Sequence, residues 1–195
     1  MGLILLFGPV SGAHLNPVVS LVDWLLGRLP GTGISGTHMA GYMVAQTVGG
    51  IAGAVLANLM FDRRIADIAT KDRTTMGHVT GEVVATAGLI AVIFALARTG
   101  RAGVSAAAVG AYIGAAYWFT SSTSFANPAV TAERMFSNTF AGIAPGSAVA
   151  FIPAQIVGAL VGLALAVTLY PDVSRTADEA VVPYHRSRRI PGSEH

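Results

Sequence analysis

Long uncharged stretches separated by short polar connectors dominate the hydrophobic pattern of this chain. Three of the stretches carry no charged residue at all, and a fourth carries only Glu82. A bilayer core about 30 Å thick requires about 20 apolar residues in helical form, and each stretch is about that long. The pattern therefore predicts four membrane-spanning helices, over residues 39–61, 77–97, 102–120 and 146–170.

Two Asn-Pro dipeptides predict two further, shorter helices. Asn is a favoured N-cap residue, and Pro is favoured at the first helical position because its missing N–H is not needed there. The first short helix is expected to run to about residue 26, and the second over 128–138. Before them, the apolar segment 3–7 resembles the end of another helix, broken at 8–12. The motif residues are Asn16, Pro17 and Val18 in the first copy and Asn127, Pro128 and Ala129 in the second.

The two halves of the chain are related by an internal repeat. Segment 42–57 is similar to segment 151–166, and Gln46 and Gln155 occupy equivalent places, 30 and 28 residues after the Asn of their own motif. Three predicted spans separate the motifs, and an odd number of crossings puts them on opposite sides of the membrane. The expected fold is an all-α inverted repeat in which two re-entrant half-helices meet at an internal site.

Composition narrows the class of protein in the same direction. Hydrophobic residues make up 53% of the 195-residue chain and charged residues 11%, against about 25% charged residues in soluble domains. Because the chain has no Cys and its histidines lack metal-ligand spacing, we expect no metal and no cofactor. The net charge of +2 forms no basic patch, which argues against a nucleic-acid partner. We find no nucleophile–base pair, so an enzyme is not expected.

The segments that hold the Asn-Pro motifs, 11–17 and 125–129, resemble the two pore motifs of the major intrinsic protein family, the aquaporins and glycerol facilitators. The resemblance covers residues 3–170 and implies a channel domain over 1–170, followed by a polar, disordered tail over 171–195. It also implies six spans and two half-helices per subunit, one pore per subunit, and a homotetramer in the lipid bilayer. The cell membrane is the expected location, and the distribution of Lys and Arg favours a cytoplasmic C-terminus.

Two segments resemble a narrower group, the bacterial family members found beside arsenic-resistance genes. They are residues 110–131 and 138–143. This resemblance implies a passive channel for small neutral solutes: water, glycerol-like polyols, and neutral arsenite or antimonite hydroxides. The first motif reads Asn-Pro-Val where the family usually has Asn-Pro-Ala, a mild change that places a slightly larger side chain at Val18.

The expected selectivity filter departs from the family pattern more strongly. The residue after the second motif is Val130, where most family members carry Arg. Counting back 12 residues from Asn127 gives Ala115, or Gly114 if one residue is inserted, and water-selective members have His there. Ser124 is expected to be a further wall residue. The resemblance therefore implies a wide, apolar constriction that admits solutes larger than water.

Three polar side chains near the motifs have both a functional and a structural interpretation. An ionisable group within a span is often functional, but the family uses a Glu at the position of Glu82 to support the backbone of a half-helix loop. His14 is expected to hold its loop by hydrogen bonds rather than to act as a gate or a metal ligand. Arg134 lies one turn beyond Val130, and it either replaces part of the missing filter charge or pairs with a carboxylate such as Glu133.

Two alternatives to a working channel stay open at this point. The second repeat unit has about 50 residues before its Asn, whereas 15 precede Asn16, so about 35 are absent by this count. The first span and part of the second are then expected to be missing, either because the product is truncated and non-conducting or because the start codon is misassigned. Broken helices in inverted repeats also occur in secondary transporters, although Glu82 alone is thin support for an ion-coupling site.

Overall fold

The computed structural model describes residues 1–28 and 33–171, which fold into helices joined by short connectors. The α-helices in this range are α1 (Gly2–Ser11), α2 (Pro17–Gly27), α3 (Gly36–Met60), α4 (Met76–Arg98), α5 (Ser105–Phe119), α6 (Pro128–Glu133) and α7 (Pro145–Leu169). A 3₁₀ turn over Ala102–Val104 leads into α5, and another over Arg134–Phe136 continues α6. The tail predicted over 171–195 lies, from residue 172 onward, outside the described residues.

Four helical segments match the predicted spans to within three residues at either end. They are α3, α4, the unit Ala102–Phe119 and α7, and their mean hydropathy ranges from 1.3 to 2.2. By length and composition each is able to cross a bilayer. The all-α membrane architecture expected from the sequence is therefore confirmed.

The two Asn-Pro motifs begin α2 and α6. In each, the proline is the first helical residue and the preceding Asn, in extended backbone, is the N-cap. α6 is shorter than the predicted 128–138, because the chain after it turns toward the α3–α4 connector. There Phe136 O accepts a hydrogen bond from Asp67 N (3.2 Å). Met135 O accepts another from Ala69 N (2.9 Å), so both carbonyl groups are taken from the helix.

α1 ends later than the sequence analysis expects. The sequence predicts a break over 8–12, whereas the helix continues through Pro9 as far as Ser11. It ends at Gly12, whose φ of 70° is a left-handed conformation that glycine adopts without a steric penalty. Gly12 N donates to Gly8 O (2.8 Å), which satisfies one of the last free carbonyl groups of the helix.

The close contact between α4 and α7 fixes the position of two polar side chains of the site. Gly158 and Gly162 of α7 face the backbone of α4, where a Cβ on either would come within 2.5–2.6 Å of a carbonyl oxygen. Small residues allow helix backbones to approach this closely in a membrane. As a result Glu82 of α4 and Gln155 of α7 are fully buried and lie within hydrogen-bond distance of each other.

Candidate functional site

The N-terminal ends of α2 and α6 meet inside the helix bundle. Asn16 Nδ2 donates a hydrogen bond to Ala126 O (2.7 Å), and Asn127 Nδ2 donates one to Leu15 O (2.9 Å). Each asparagine therefore satisfies the carbonyl group that precedes the other asparagine. The exchange brings the two predicted motifs together and directs the positive ends of two helix dipoles toward one place.

The same two side chains cap the helices that they precede. Asn16 Oδ1 accepts a hydrogen bond from Val18 N (3.1 Å). Asn127 Oδ1 accepts hydrogen bonds from Ala129 N (2.9 Å) and Val130 N (3.3 Å). Each side-chain amide thus uses its oxygen for its own helix and one N–H for the opposite motif. The second N–H of each amide has no partner among the described residues.

A buried carboxylate holds the second loop, residues 120–127. Glu82 accepts hydrogen bonds from Phe125 N and Ala126 N, both at 2.8 Å, and none of its surface is exposed. Gln155 Nε2 donates to Glu82 (2.6 Å) and also to Thr131 Oγ1 (2.8 Å). The carboxylate is therefore satisfied on both oxygens, and it fixes the backbone directly before the second Asn-Pro motif.

A neutral amide holds the first loop, residues 12–16. Gln46 Nε2 donates to His14 O and to Ser20 Oγ, the latter at 3.1 Å. His14 Nδ1 lies 3.2 Å from the same hydroxyl group, and the imidazole stacks on Tyr42 with ring centroids 5.2 Å apart. The structure thus places His14 within a network of loop contacts.

A cavity of about 180 Å³ touches both asparagines. Its walls are mostly apolar and come from α1, α2, α4, α5 and α6 and from the two loops that precede the half-helices. Among the described residues no group of three His, Asp or Glu side chains is arranged to hold a metal ion. The space is therefore bounded by hydrocarbon and by a few hydrogen-bonding groups. Apolar residues in its wall include Ile4, Leu15, Val19, Leu89, Ile93, Val109 and Ile113.

The two filter positions assigned on α5 do not face this cavity. α5 presents Val109 and Ile113 to it, one turn apart. A helix turns by about 100° per residue, so Gly114 and Ala115 lie on other faces, and both are exposed. A count back from the second motif crosses the irregular segment 120–126, so it measures distance along the chain but not helix phase. The assignment of Gly114 and Ala115 to the selectivity filter therefore stays a prediction.

The other two filter positions have different surroundings. Val130 lines the cavity, in the first turn of α6. Ser124 is buried but does not line the cavity, its φ is 48°, and its Oγ has no hydrogen-bond partner among the described residues. Of the four predicted filter residues, the structure therefore brings one to the cavity.

Comparison with known proteins gives the same family as the motifs. The family model described as major intrinsic protein matches residues 1–126, more than half of the chain. The chain belongs to the major intrinsic protein family. It is 50% identical over 163 residues to aquaglyceroporin AqpS of Rhizobium meliloti (strain 1021), which covers 84% of this chain and 67% of that protein.

Two other relatives are more distant. The chain is 28% identical over 110 residues to an uncharacterized aquaporin-like protein of Haemophilus influenzae, covering 49% of this chain and 48% of that protein. It is 36% identical over 111 residues to aquaporin-5 of Ovis aries, covering 53% of this chain and 40% of that protein. No solved structure matches the chain. As a member of the major intrinsic protein family, this is a multi-pass membrane protein.

Arg134 lies beside the cavity wall of this family member. Its guanidinium group sits 4.3 Å from the centre of the Phe125 ring, and Phe125 lines the cavity. Neither ion pair seen among the described residues involves Arg134, and its Nη1 is buried without a hydrogen-bond partner there. The carboxylate of Glu133 packs against Gly50 of α3. Pairing with Glu133 at the surface is therefore not what the structure shows.

Arg73 is a site residue that the sequence analysis did not single out. It is 2% exposed, and it donates from Nε to Gly142 O (3.0 Å), from Nη1 to Ser122 O (3.1 Å) and from Nη2 to Phe140 O (3.0 Å). Its guanidinium lies 5.2 Å from the centre of the Phe125 ring. Burial lowers the pKa of Arg73 from its ordinary value. No pattern marks this residue, because it lies in a mixed-charge connector of the kind that is usually solvated.

Proposed function

We propose that this chain forms a passive channel through which small uncharged solutes cross the membrane. One observation carries the proposal: the reciprocal bonds of Asn16 and Asn127 leave two amide N–H groups and two helix N-termini beside a largely apolar cavity. A water or hydroxyl oxygen in the cavity accepts a hydrogen bond from these amides. No covalent bond is made or broken, so the function needs no catalytic pair.

The opposed helix ends supply selection by charge. The N-terminus of a helix carries roughly half of a positive elementary charge, and α2 and α6 both direct theirs to the same place. This potential opposes protons and other cations, whereas an uncharged solute passes. Apolar walls add few other binding points, so a solute leaves as readily as it enters.

The solute class follows from the residues around the second motif. Val130 lines the cavity where most family members have Arg. A shorter, uncharged side chain at this position favours a wider and less polar constriction. The similar protein AqpS is named an aquaglyceroporin, and segment 110–131 resembles arsenic-associated members. These observations support glycerol-like polyols and neutral arsenite or antimonite hydroxides as solutes, together with water.

Arg134 supplies part of the charge that Val130 lacks in this proposal. Its support is the contact with Phe125, a cavity-lining ring, and the absence of a paired carboxylate among the described residues. Changing Arg134 to Ala is expected to raise cation leak through vesicles about tenfold, the effect of about 1.4 kcal/mol in a barrier. Arg63→Ala is the control, because Arg63 is exposed and pairs with Asp67. Equal cation leak in the two variants contradicts this role.

Assembly and location are part of the same proposal. We place the protein in the cell membrane as a homotetramer with one pore per subunit and a cytoplasmic C-terminus. The outer face of α3 supports this proposal, because its apolar side chains are about 60% exposed on the outside of the bundle. They are Val44, Val48 and Leu56. Apolar surface of this kind suits lipid or a second copy of the chain.

Flux through proteoliposomes tests the proposed function. Vesicles with the purified protein are expected to take up glycerol and water faster than empty vesicles, at rates that ignore proton and sodium gradients. Asn127→Leu removes the amide and is expected to abolish the uptake, while Arg63→Ala leaves it unchanged. Uptake that depends on an ion gradient indicates a secondary transporter, and absence of uptake indicates a non-conducting protein.

A further inference from the structure

We propose that Ser105 is a second hydrogen-bonding station for the solute, at the end of the cavity nearest the α4–α5 turn. The inference rests on the channel function proposed above and adds a specificity-determining residue to it. The ligand class is a hydroxyl-bearing neutral solute, a polyol above all.

Ser105 is a buried hydroxyl group without a protein partner. It lines the cavity and is 1% exposed, and its Oγ makes no hydrogen bond among the described residues. Buried hydroxyl groups are nearly always satisfied, by protein or by a bound molecule, because an unmade bond is unfavourable. A hydrogen bond to a molecule in the cavity would satisfy this one.

A capping role does not explain the residue. Serine near the start of a helix often accepts a hydrogen bond from the backbone of the first turn. In α5 the N-cap is Val104, and no side chain caps the helix. Ser105 is the first helical residue itself, so its hydroxyl group is not used by the helix end.

The phase of α5 directs Ser105 to the same space as its apolar neighbours in the wall. Ser105, Val109 and Ile113 follow each other at intervals of four residues, so they share one face of the helix. Leu89 and Ile93 of α4, also four apart, line the cavity as well. In the described part of the wall, Ser105 thus supplies the only polar side chain besides the two asparagines.

The order of the wall residues along α4 and α5 gives the serine its role. Glu82 of α4 binds the backbone directly before the second Asn-Pro motif. Ile93 lies three helical turns further along α4, about 16 Å away at 1.5 Å per residue. Along that length the wall side chains of α4 and α5 are hydrocarbon. A solute that moves away from the asparagines therefore next meets a side-chain hydrogen-bond partner at Ser105.

Three variants in proteoliposomes test the inference. Ser105→Ala removes the hydroxyl group, and glycerol uptake is expected to fall about three- to tenfold, the factor that one net hydrogen bond supplies. Water uptake is expected to fall less, because neighbouring waters replace the lost partner. Ser105→Thr keeps a hydroxyl group and is expected to restore most of the glycerol uptake.

Thr86 provides the matched control. Its Oγ1 is also buried without a partner among the described residues, but Thr86 does not line the cavity. Thr86→Val is therefore expected to leave the ratio of glycerol to water uptake unchanged. An unchanged ratio in Ser105→Ala, or a Thr variant as slow as the Ala variant, overturns the role of Ser105 alone. Absence of uptake through the parent protein overturns the channel function and this inference together.

Discussion

The two loops that precede the half-helices occupy equivalent places in the repeat but are held by different contacts. In the first loop a neutral donor, Gln46, binds a carbonyl oxygen, that of His14. In the second loop a charged acceptor, Glu82, binds two backbone N–H groups. Hydrogen bonds to a charged group are about twice as strong as neutral ones, so the second loop is held more firmly.

The backbone of the second loop also has more residues in a left-handed conformation than that of the first. Thr123, Ser124 and Ala126 all have φ between 48° and 63°, a conformation that residues with a Cβ seldom adopt. In the first loop only Ala13 among the non-glycine residues has a positive φ, of 49°. Strained backbone persists where its surroundings over-determine it. The two hydrogen bonds to Glu82, and those from Arg73 Nη1 to Ser122 O and Thr123 Oγ1, therefore lie in the loop with more positive φ angles.

Removal of the charge at Glu82 is expected to have the largest effect. Glu82→Gln keeps the size of the side chain but replaces one acceptor oxygen by an NH₂ group. This group would face a backbone N–H, either that of Phe125 or that of Ala126, and could not accept its hydrogen bond. We expect the free energy of unfolding in detergent to fall by about 3 kcal/mol and solute uptake to be lost. Glu133→Gln is the control, because this carboxylate does not contact the loop. A Glu82→Gln variant as stable as Glu133→Gln would remove the distinction between the two loops.

Replacement of Arg73 by lysine is expected to rank second. Lysine keeps the charge but cannot reach three carbonyl groups that the planar guanidinium binds in different directions. Thermal unfolding should report a loss of about 2 kcal/mol. The same change at Arg63, which is exposed, should cost less than about 0.5 kcal/mol. Similar losses at both positions would mean that the charge alone matters.

Truncation of Gln46 measures how much the side-chain contacts of the first loop contribute to stability. Gln46→Ala removes two neutral hydrogen bonds, to His14 O and Ser20 Oγ. We expect a loss of about 1–2 kcal/mol in unfolding free energy, clearly below that of Glu82→Gln. Equal losses of unfolding free energy in calorimetry would show that neutral and charged hydrogen-bond partners hold the two loops equally well. That result would contradict the claim that the second loop is held more firmly.

A small pH effect is expected at Asp72, outside the membrane-spanning helices. Hydrogen bonds from Ser147, and then from Thr74, hold the pKa of the Asp72 carboxyl group below its ordinary value. A lowered folded-state pKa stabilises the fold above the ordinary value near 3.9, and this contribution disappears as the pH falls through the folded pKa. Melting temperatures between pH 3 and 6 should therefore fall less steeply for Asp72→Asn than for the parent. Identical slopes contradict the prediction.

The spans and the half-helix starts were predictable because local rules decide them. The lengths of the uncharged stretches predict the ends of the four long helices to within three residues. An Asn that precedes Pro predicts where α2 and α6 begin. The end of α6 was not predictable, since contacts with a connector more than 60 residues earlier in the chain decide it. The carbonyl groups of Met135 and Phe136 accept hydrogen bonds from Ala69 N and Asp67 N. The local sequence around these two residues does not predict such contacts.

Within the site, the meeting of the two motifs was predictable from the sequence, whereas the face of α5 that lines the cavity was not. Val130 reaches the cavity because it lies in the first turn of a helix whose start is fixed by the motif. Gly114 and Ala115 are predicted by a residue count across an irregular loop, which does not give the helix phase of α5, and neither residue lines the cavity. The role of Arg73 was not predictable either, because its hydrogen-bond partners lie in loops that are distant in the chain.

The reciprocal asparagine contact also has a consequence for biosynthesis. The acceptor for Asn16 is the carbonyl group of Ala126, 110 residues downstream. At about 5–20 residues per second, the ribosome delivers that acceptor on the order of ten seconds after Asn16 itself. During this delay the Asn16 side chain lacks the hydrogen-bond acceptor that it has in the folded protein, so the first half-helix is incomplete until the second motif has been synthesised.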